Sequence, residues 1–520
     1  MLLHNYLAYF AREKPDHVFA EMNGALLSYF QSNQRANQFA QSLSASGLKK
    51  GDRFAYISKN SIDMAVMYFG ASKAGIMPVP LNYRLAPREL LYIISDADSK
   101  VVFCQTEFIP GIDTVKSELN QVSSFVQLDG TSQVDGWNLF ESWLGDDATE
   151  PDVVVSEFDQ IYQMYTSGTT GLPKGAMLSH HAVCSNIEMA RQFLEMSIAD
   201  DRNLIVAPMY HAAAAVTAMT VVSMCSTLVI HSEFNATAVV DSLSSEKITM
   251  TTMVPSMIQA CLVEVPDLGD REFPALRRIS YGASPISLET LQTAMEKFGC
   301  GFSQAFGMTE LSCVATFMNP ETHERALAGE PGLLLSAGRA VLGTEIKIVD
   351  ENDNEVANGT VGEILVRGPQ VMMGYWNLPE ETEKALKGGW MHTGDAAYMD
   401  DEGFIYIQDR IKDMIVSGAE NIYPAEVESA LFEHAAVADA AVIGIPSEQW
   451  GETVLAFLVL KHGESLSVEE MIEFCRERLA GFKIPRQIEF LNEIPRNASG
   501  KVLKNNLREP YWQKTERRVS

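Results

Sequence analysis

Runs of β-branched and aromatic residues alternate with amphipathic stretches through most of the chain up to Arg410. Arg53–Ile57, Val101–Cys104, Leu204–Ala207 and Leu228–Ile230 have the length and composition of buried strands. Ser61–Ala74 and Ser287–Lys297 carry apolar residues at helical spacing between such strands. This alternation predicts βαβ units, and so parallel sheets covered by helices on both faces.

From Gly338 to Gln370 the period shortens. Glu345–Val349, a turn at Asp350–Asn354, and Gly362–Arg367 read as strand, turn, strand. Ala396–Tyr398, Asp400–Gly403 and Phe404–Ile407 repeat the pattern. A small antiparallel sheet or β-barrel-like subdomain is therefore expected on the main body. Beyond Asp409–Asp413 the pattern resets. Glu426–Glu433 and Val468–Leu479 are helical, while Ala440–Gly444 and Val454–Leu460 are strands, which makes a separate α+β unit of about a hundred residues. The expected fold is thus α/β: a large N-terminal domain over residues 1–408, a hinge at 409–412 and a smaller C-terminal domain over 413–520.

Composition narrows the function. Among 520 residues, 40 basic against 68 acidic side chains give a net charge of −28, which repels nucleic acid and anionic lipid. The segment from Phe474 to Ser520 departs from this, with eleven Lys/Arg against five Asp/Glu. A solvated helix face and a landing place for a polyanion both fit that segment. Seven scattered cysteines without C-x-x-C spacing indicate neither a disulfide framework nor a zinc site, which favours a reducing cytoplasm. Residues 1–16 lack the basic and apolar regions of a signal peptide. Ala212–Ile230 runs nineteen residues without a charge, but its first part is mostly alanine. A packed helix followed by a strand is expected there, with no transmembrane span.

The strongest local signal is Tyr165-Thr-Ser-Gly-Thr-Thr-Gly-Leu-Pro-Lys-Gly175. Thr166, Ser167, Gly168, Thr169, Thr170 and Gly171 can turn hydroxyls and backbone N–H groups toward phosphate oxygens, and Lys174 adds a cation. The loop is expected between a strand and a helix beginning near Ser179. It lacks the Gly-Lys-Ser/Thr ending of a Walker A motif.

At this motif the chain resembles the adenylate-forming superfamily, its acyl-CoA synthetase and fatty-acid–CoA ligase branch above all. Further matches come in order: Tyr281–Pro285, Gln304–Glu310, Trp390–Asp395, Asp409–Asp413 with Ser417–Asn421, and Pro495–Lys501. The resemblance implies ATP, Mg²⁺ and coenzyme A as cofactors and co-substrates. It implies Glu310 and Thr166 as metal-shell oxygens, and Thr309 as a hydroxyl on phosphate. Gly282, Ala283, Ser284, Gln304, Ala305, Phe306 and Gly307 would form the adenine slot. Asp395 and Arg410 would meet the ribose. Lys501 would neutralise charge as the carboxylate attacks the α-phosphate, where positioning and electrostatics supply the catalysis. His211 would border the acyl carboxylate. Lys412 takes the hinge position of a mobile small domain. Ser417, Gly418, Ala419, Trp450, Phe482 and Lys483 would contact CoA. A lone His at a helix start, a turn Asp or a loop Lys is ordinarily a structural residue; the motifs reverse that reading.

The residues after His211 narrow the acid. Amino-acid-activating relatives place an Asp there for the substrate ammonium, whereas this chain has Ala212–Ala215. An apolar monocarboxylate, a medium- or long-chain fatty acid, is expected, with an aryl acid or transfer to a carrier protein as alternatives. The expected reaction is AMP-forming acid–thiol ligation. A homodimer is left open.

Overall fold

The computed structural model describes the chain apart from residues 167–171, 195–198, 285, 287, 411–412, 418–419, 448–449, 497–501 and 513–520. Two sheets of largely parallel strands form the larger part. In the first, Met77–Leu81, Arg53–Ile57, Ser99–Cys104, Ser124–Gln127 and Asn138–Leu139 lie side by side, all parallel. Every residue of Arg53–Ile57 is buried, as a central strand covered on both faces requires. In the second, Val18–Met22, Thr227–Ile230, Arg202–Ile205, Met250–Met253, Arg278–Gly282 and Gly301–Phe306 run parallel. Antiparallel strands close both of its edges.

Helix Ile62–Ala74 shows why apolar periodicity alone is insufficient. It is buried on every face from Met64 to Ala74, so it has little amphipathic stripe. Its limits come from its ends: the Ser61 side chain caps Met64 N–H, and Gly75 adopts the left-handed φ of 65° that stops it. Gly70 lets helix Tyr29–Ala45 approach, since a Cβ there would stand 2.7 Å from the Ala36 carbonyl oxygen. The uncharged run splits as expected into helix Ala212–Ser223 and strand Thr227–Ile230. No helix among the described residues is long and apolar enough to cross a membrane.

Strands Glu345–Val349, Gly362–Arg367, Met391–Met399 and Ile405–Arg410 form one antiparallel sheet, so both short-period regions of the sequence belong to a single unit. Beyond it, Val437–Ser447 and Gly451–Leu460 pair as a long hairpin beside Ile415–Ser417 and Gln487–Phe490. Alternate residues serve two cores there. Val442, Val454 and Ala456 face Val427, Leu431, Met471 and Cys475. Ala441, Ile443, Leu455 and Phe457 face Ile494 and Leu507. Neither core includes a buried residue from before Ile415.

Candidate functional site

The strands on either side of residues 167–171 pair with each other. Gln160–Thr166 pairs antiparallel with Lys174–Ser179, and Thr166 stands opposite Lys174. This corrects the expected strand–loop–helix order. The helix begins at His180, with a six-residue strand intervening, so its N-terminus is not the end of the loop. Gly175 permits the pairing, because a Cβ there would meet Gln163 Nε2 at 2.7 Å. Ser167, Gly168, Thr169, Thr170 and Gly171 lie outside the described residues. Lys174 is nearly buried, and its ammonium is 2.5 Å from Glu381 on helix Pro379–Ala385. The expected phosphate cation is therefore internally paired.

Thr166 leads to the second group. Its hydroxyl donates to Glu310 Oε1 at 3.1 Å, and the Tyr375 hydroxyl donates to the same oxygen at 2.9 Å. Glu310 is 4% exposed, yet no lysine or arginine among the described residues pairs with it. It sits with Thr309 in a short 3₁₀ turn whose end is fixed by Ser312 and Cys313 at positive φ. The Ser312 hydroxyl donates to the Gln370 carbonyl, and Asn186 bonds both backbone groups of Val314. Tyr375 comes from the two-residue strand Gly374–Tyr375, which adds to this strand pair beside Ala176. It was not expected from the sequence; the Gly-Tyr-Trp-Asn-Leu-Pro run is the signal that could have found it.

The donor chemistry fits Mg²⁺. No group of three or more His, Cys, Asp or Glu that could hold a metal occurs among the described residues. A single anionic carboxylate with hydroxyl neighbours suits an ion that keeps waters and takes its other ligands from phosphates.

The expected adenine slot is brought together by strand pairing. Tyr281 lies opposite Gln304, and Gly282 opposite Ala305. A Cβ on Gly282 would stand 2.2 Å from the Ala305 oxygen, and one on Gly307 2.0 Å from the Cys313 oxygen. Ala283 comes next at a positive φ of 67°, turning the chain toward Ser284. Phe306 packs half-buried at the strand end, and Gln304 Oε1 is buried without a hydrogen-bond partner among the described residues. Asp395, also buried, faces Arg410 across neighbouring strands, and its N–H donates to Thr393.

His211 caps helix Ala212–Ser223 in an extended conformation, with its N–H donating to the Pro208 carbonyl. Burial lowers its pKa to about 4, so it is neutral near pH 7. The alanines after it are mostly packed rather than open: Ala212, Ala214, Ala215 and Ala218 are buried. Near it, a cleft of about 540 Å³ is lined by Asn60, Tyr83, Pro208, Phe234 and Met257 and by Glu493–Arg496.

In the C-terminal unit, Ser417 pairs with Gly451 beside Trp450, which is 45% exposed. Phe482 is also exposed. Lys483 is not a free cation, since its ammonium meets both Glu426 oxygens at 2.6 and 2.7 Å. Gly418, Ala419, Lys412 and Lys501 lie outside the described residues.

A family model described as AMP-binding enzyme matches residues 7–376, and one described as AMP-binding enzyme C-terminal domain matches 426–501. The chain is 36% identical over 518 residues to a fatty acid–[acyl-carrier-protein] ligase of Streptomyces coeruleorubidus, covering 99% of this chain and 97% of that one. It is 36% identical over 492 residues to an indoleacetate–CoA ligase of Aromatoleum aromaticum, covering 94% of each. Among solved structures, ATP-bound MatB from Rhodopseudomonas palustris superposes with a TM-score of 0.90 at 28% identity, over 99% of this chain and 100% of that one.

Proposed function

The chain belongs to the AMP-binding enzyme family, and on that premise we propose that it joins a medium- or long-chain fatty acid to coenzyme A through an acyl adenylate. The chain is an AMP-forming acid–CoA ligase that uses ATP, Mg²⁺ and CoA. The observation that carries the reading is Glu310: a buried carboxylate that, among the described residues, is met by the Thr166 and Tyr375 hydroxyls and by no cation. The ion, when bound, neutralises phosphate charge during displacement. Thr166 and Tyr375 hold Glu310 at the place where that ion is needed, and Asp395 with Arg410 would orient the ribose.

The small unit beyond Asp413 would turn about 411–412 between half-reactions. Lys501 is needed at the phosphates first, and the CoA thiol needs an open path afterwards. The separate cores of that unit support the division. Seven free thiols support a cytoplasmic location.

Two measurements test the reading. CoA-dependent AMP release across fatty, branched, aryl and amino acids should peak on a fatty acid. A peak on an aryl acid, or turnover only with a carrier protein as acceptor, replaces the substrate or the acceptor. Lys501→Ala should cut acyl-AMP formation by ~10²–10³-fold and largely spare thioester formation from supplied acyl-AMP. Equal losses in both steps would remove Lys501 from its role.

A further inference from the structure

Five side chains behind the Glu310 site close into a ring. Arg53 opens its strand and is buried, yet no carboxylate among the described residues forms an ion pair with it. Its Nε donates to Gln163 Oε1 at 3.2 Å, and its Nη1 donates to the Gly51 carbonyl at 3.2 Å. The guanidinium lies over the Trp376 ring, its carbon 3.6 Å from the ring centre. Trp376 Nε1 donates to the Asp96 carbonyl at 2.9 Å, and the Asp96 carboxylate accepts the Tyr165 hydroxyl at 2.5 Å. Gln163 Nε2 donates to that same hydroxyl at 3.1 Å, which completes the ring. Burial and Asp96 raise the Tyr165 pKa, so the phenol stays protonated and donates. Burial lowers the Arg53 pKa, but a guanidinium remains charged.

The ring reaches Glu310 through two chain neighbours. Tyr165 is followed by Thr166, and Trp376 is preceded by Tyr375. Successive residues of an extended chain point to opposite sides. Each dipeptide therefore sends one side chain into the ring and the other to Glu310 Oε1. The backbone links the two dipeptides as well: the Trp376 N–H donates to the Gly175 carbonyl at 2.8 Å, beside Lys174, which stands opposite Thr166. Strand Gly374–Tyr375 has only two paired positions, and the Tyr375 N–H donates to the Thr382 hydroxyl at 2.9 Å. A buried arginine ordinarily takes a carboxylate. Here the ring's carboxylate goes to Tyr165, and the arginine faces an indole, which fixes that ring's place without an anion.

We infer that Arg53 is a positioning residue for the Glu310 site: through Trp376 and Gln163 it sets where the Tyr375 and Thr166 hydroxyls stand, and so how Glu310 is aimed. The inference rests on the proposed reading of Glu310 as the Mg²⁺ carboxylate.

Arg53→Met fills similar space and removes both the charge and the bond to Gln163. ATP binding is followed by calorimetry across a Mg²⁺ titration with no acid present. The half-saturating Mg²⁺ concentration should rise about fivefold over the wild type. Acyl-AMP formation should show the same shift, and thioester formation from supplied acyl-AMP should stay within about twofold. Trp376→Leu should match Arg53→Met, whereas Trp376→Phe keeps a ring under the cation and should stay within about twofold of the wild type. The Arg53→Met/Trp376→Leu pair should shift the midpoint little beyond either single change, because both remove one contact. A merely structural Arg53 lowers the melting temperature and leaves the Mg²⁺ midpoint unmoved; that result overturns the inference, as do additive shifts in the pair. Tyr165→Phe removes a single oxygen from the ring and decides the matter if Arg53→Met does not fold: the midpoint should rise about threefold, and an unchanged one overturns the inference. A wild type whose ATP affinity ignores Mg²⁺ removes Glu310 from its proposed role and the inference with it. A wild type that binds ATP with Mg²⁺ but adenylates no fatty acid sinks the substrate reading alone, and the calorimetric comparison still judges Arg53.

Discussion

Two carboxylate clusters are built on opposite principles. Glu310 is closed off from water and met by two neutral hydroxyls, so no countercharge among the described residues offsets it. Asp409 and Glu428 are half-buried, but the Lys504 ammonium lies between them and meets one oxygen of each, the same oxygen that accepts a backbone N–H. Burying a charge is tolerated when it is paired within the protein. At Glu310 the described residues supply no such partner, which is what the proposed Mg²⁺ site requires. The Asp409 cluster completes the pairing internally. The contrast separates a lone carboxylate without a described countercharge from a set of carboxylates paired within the protein.

Neutralising Glu310 should have the largest effect. Glu310→Gln keeps the shape and can still accept both hydroxyls, so the fold should hold or gain slightly in melting temperature. Acyl-AMP formation should fall by ~10²–10³-fold, with the loss concentrated in Mg²⁺ dependence. A Glu310→Gln variant whose Mg²⁺ titration matches the wild type would break the comparison at its root.

Tyr375→Phe sharpens it at a smaller scale. Removing one hydroxyl from a charged acceptor is worth about 1.5 kcal/mol or somewhat more, or roughly tenfold in rate. The Mg²⁺ concentration for half-maximal acyl-AMP formation should rise, with the thioester step from supplied acyl-AMP nearly unchanged. A loss shared by both steps would make Tyr375 a general packing residue.

How far these clusters were legible in the sequence differs between them. Thr166 and Glu310 stood out because their motifs concentrate hydroxyls, glycines and a carboxylate in short runs. Tyr375 did not, because a two-residue strand has no period to read, and its partner is 65 positions away. The alternating βα pattern correctly announced parallel sheets, since buried central strands are apolar at every position. It missed the strand that begins at Lys174, where Gly175 resembles a breaker but permits a close pairing. The strand Val437–Ser447 is longer than its apolar run suggests, because it contains Gly444 and Pro446. It runs at the sheet edge, where a proline costs no ladder bond on its open side. The ion pairs of Lys504 and Arg508 were illegible for another reason. Ion pairing across 95 positions, as between Arg508 and Asp413, arises from topology, and nothing in the local sequence marks it.

The smallest expected effect concerns Lys174, which borders the Glu310 cluster yet obeys the principle of the other one. Its ammonium is held by Glu381, which also pairs with Lys384 at 3.0 Å, and these two partners lower the Glu381 pKa. An ammonium already paired attracts a polyanion less than a free one. Glu381→Gln should therefore release positive charge toward the proposed phosphate site and lower KM for ATP by about two- to fivefold, as expected for a pair with one partner partly exposed. The gain should shrink as salt rises, because screening weakens the long-range attraction between the freed charge and the polyanion. The decisive measurement is KM for ATP at two ionic strengths, wild type against variant. If KM rises in the variant at both, Glu381 does not compete with phosphate but holds Lys174 in place for it. Lys174 would then belong with Thr166 and Tyr375 as part of a preset site.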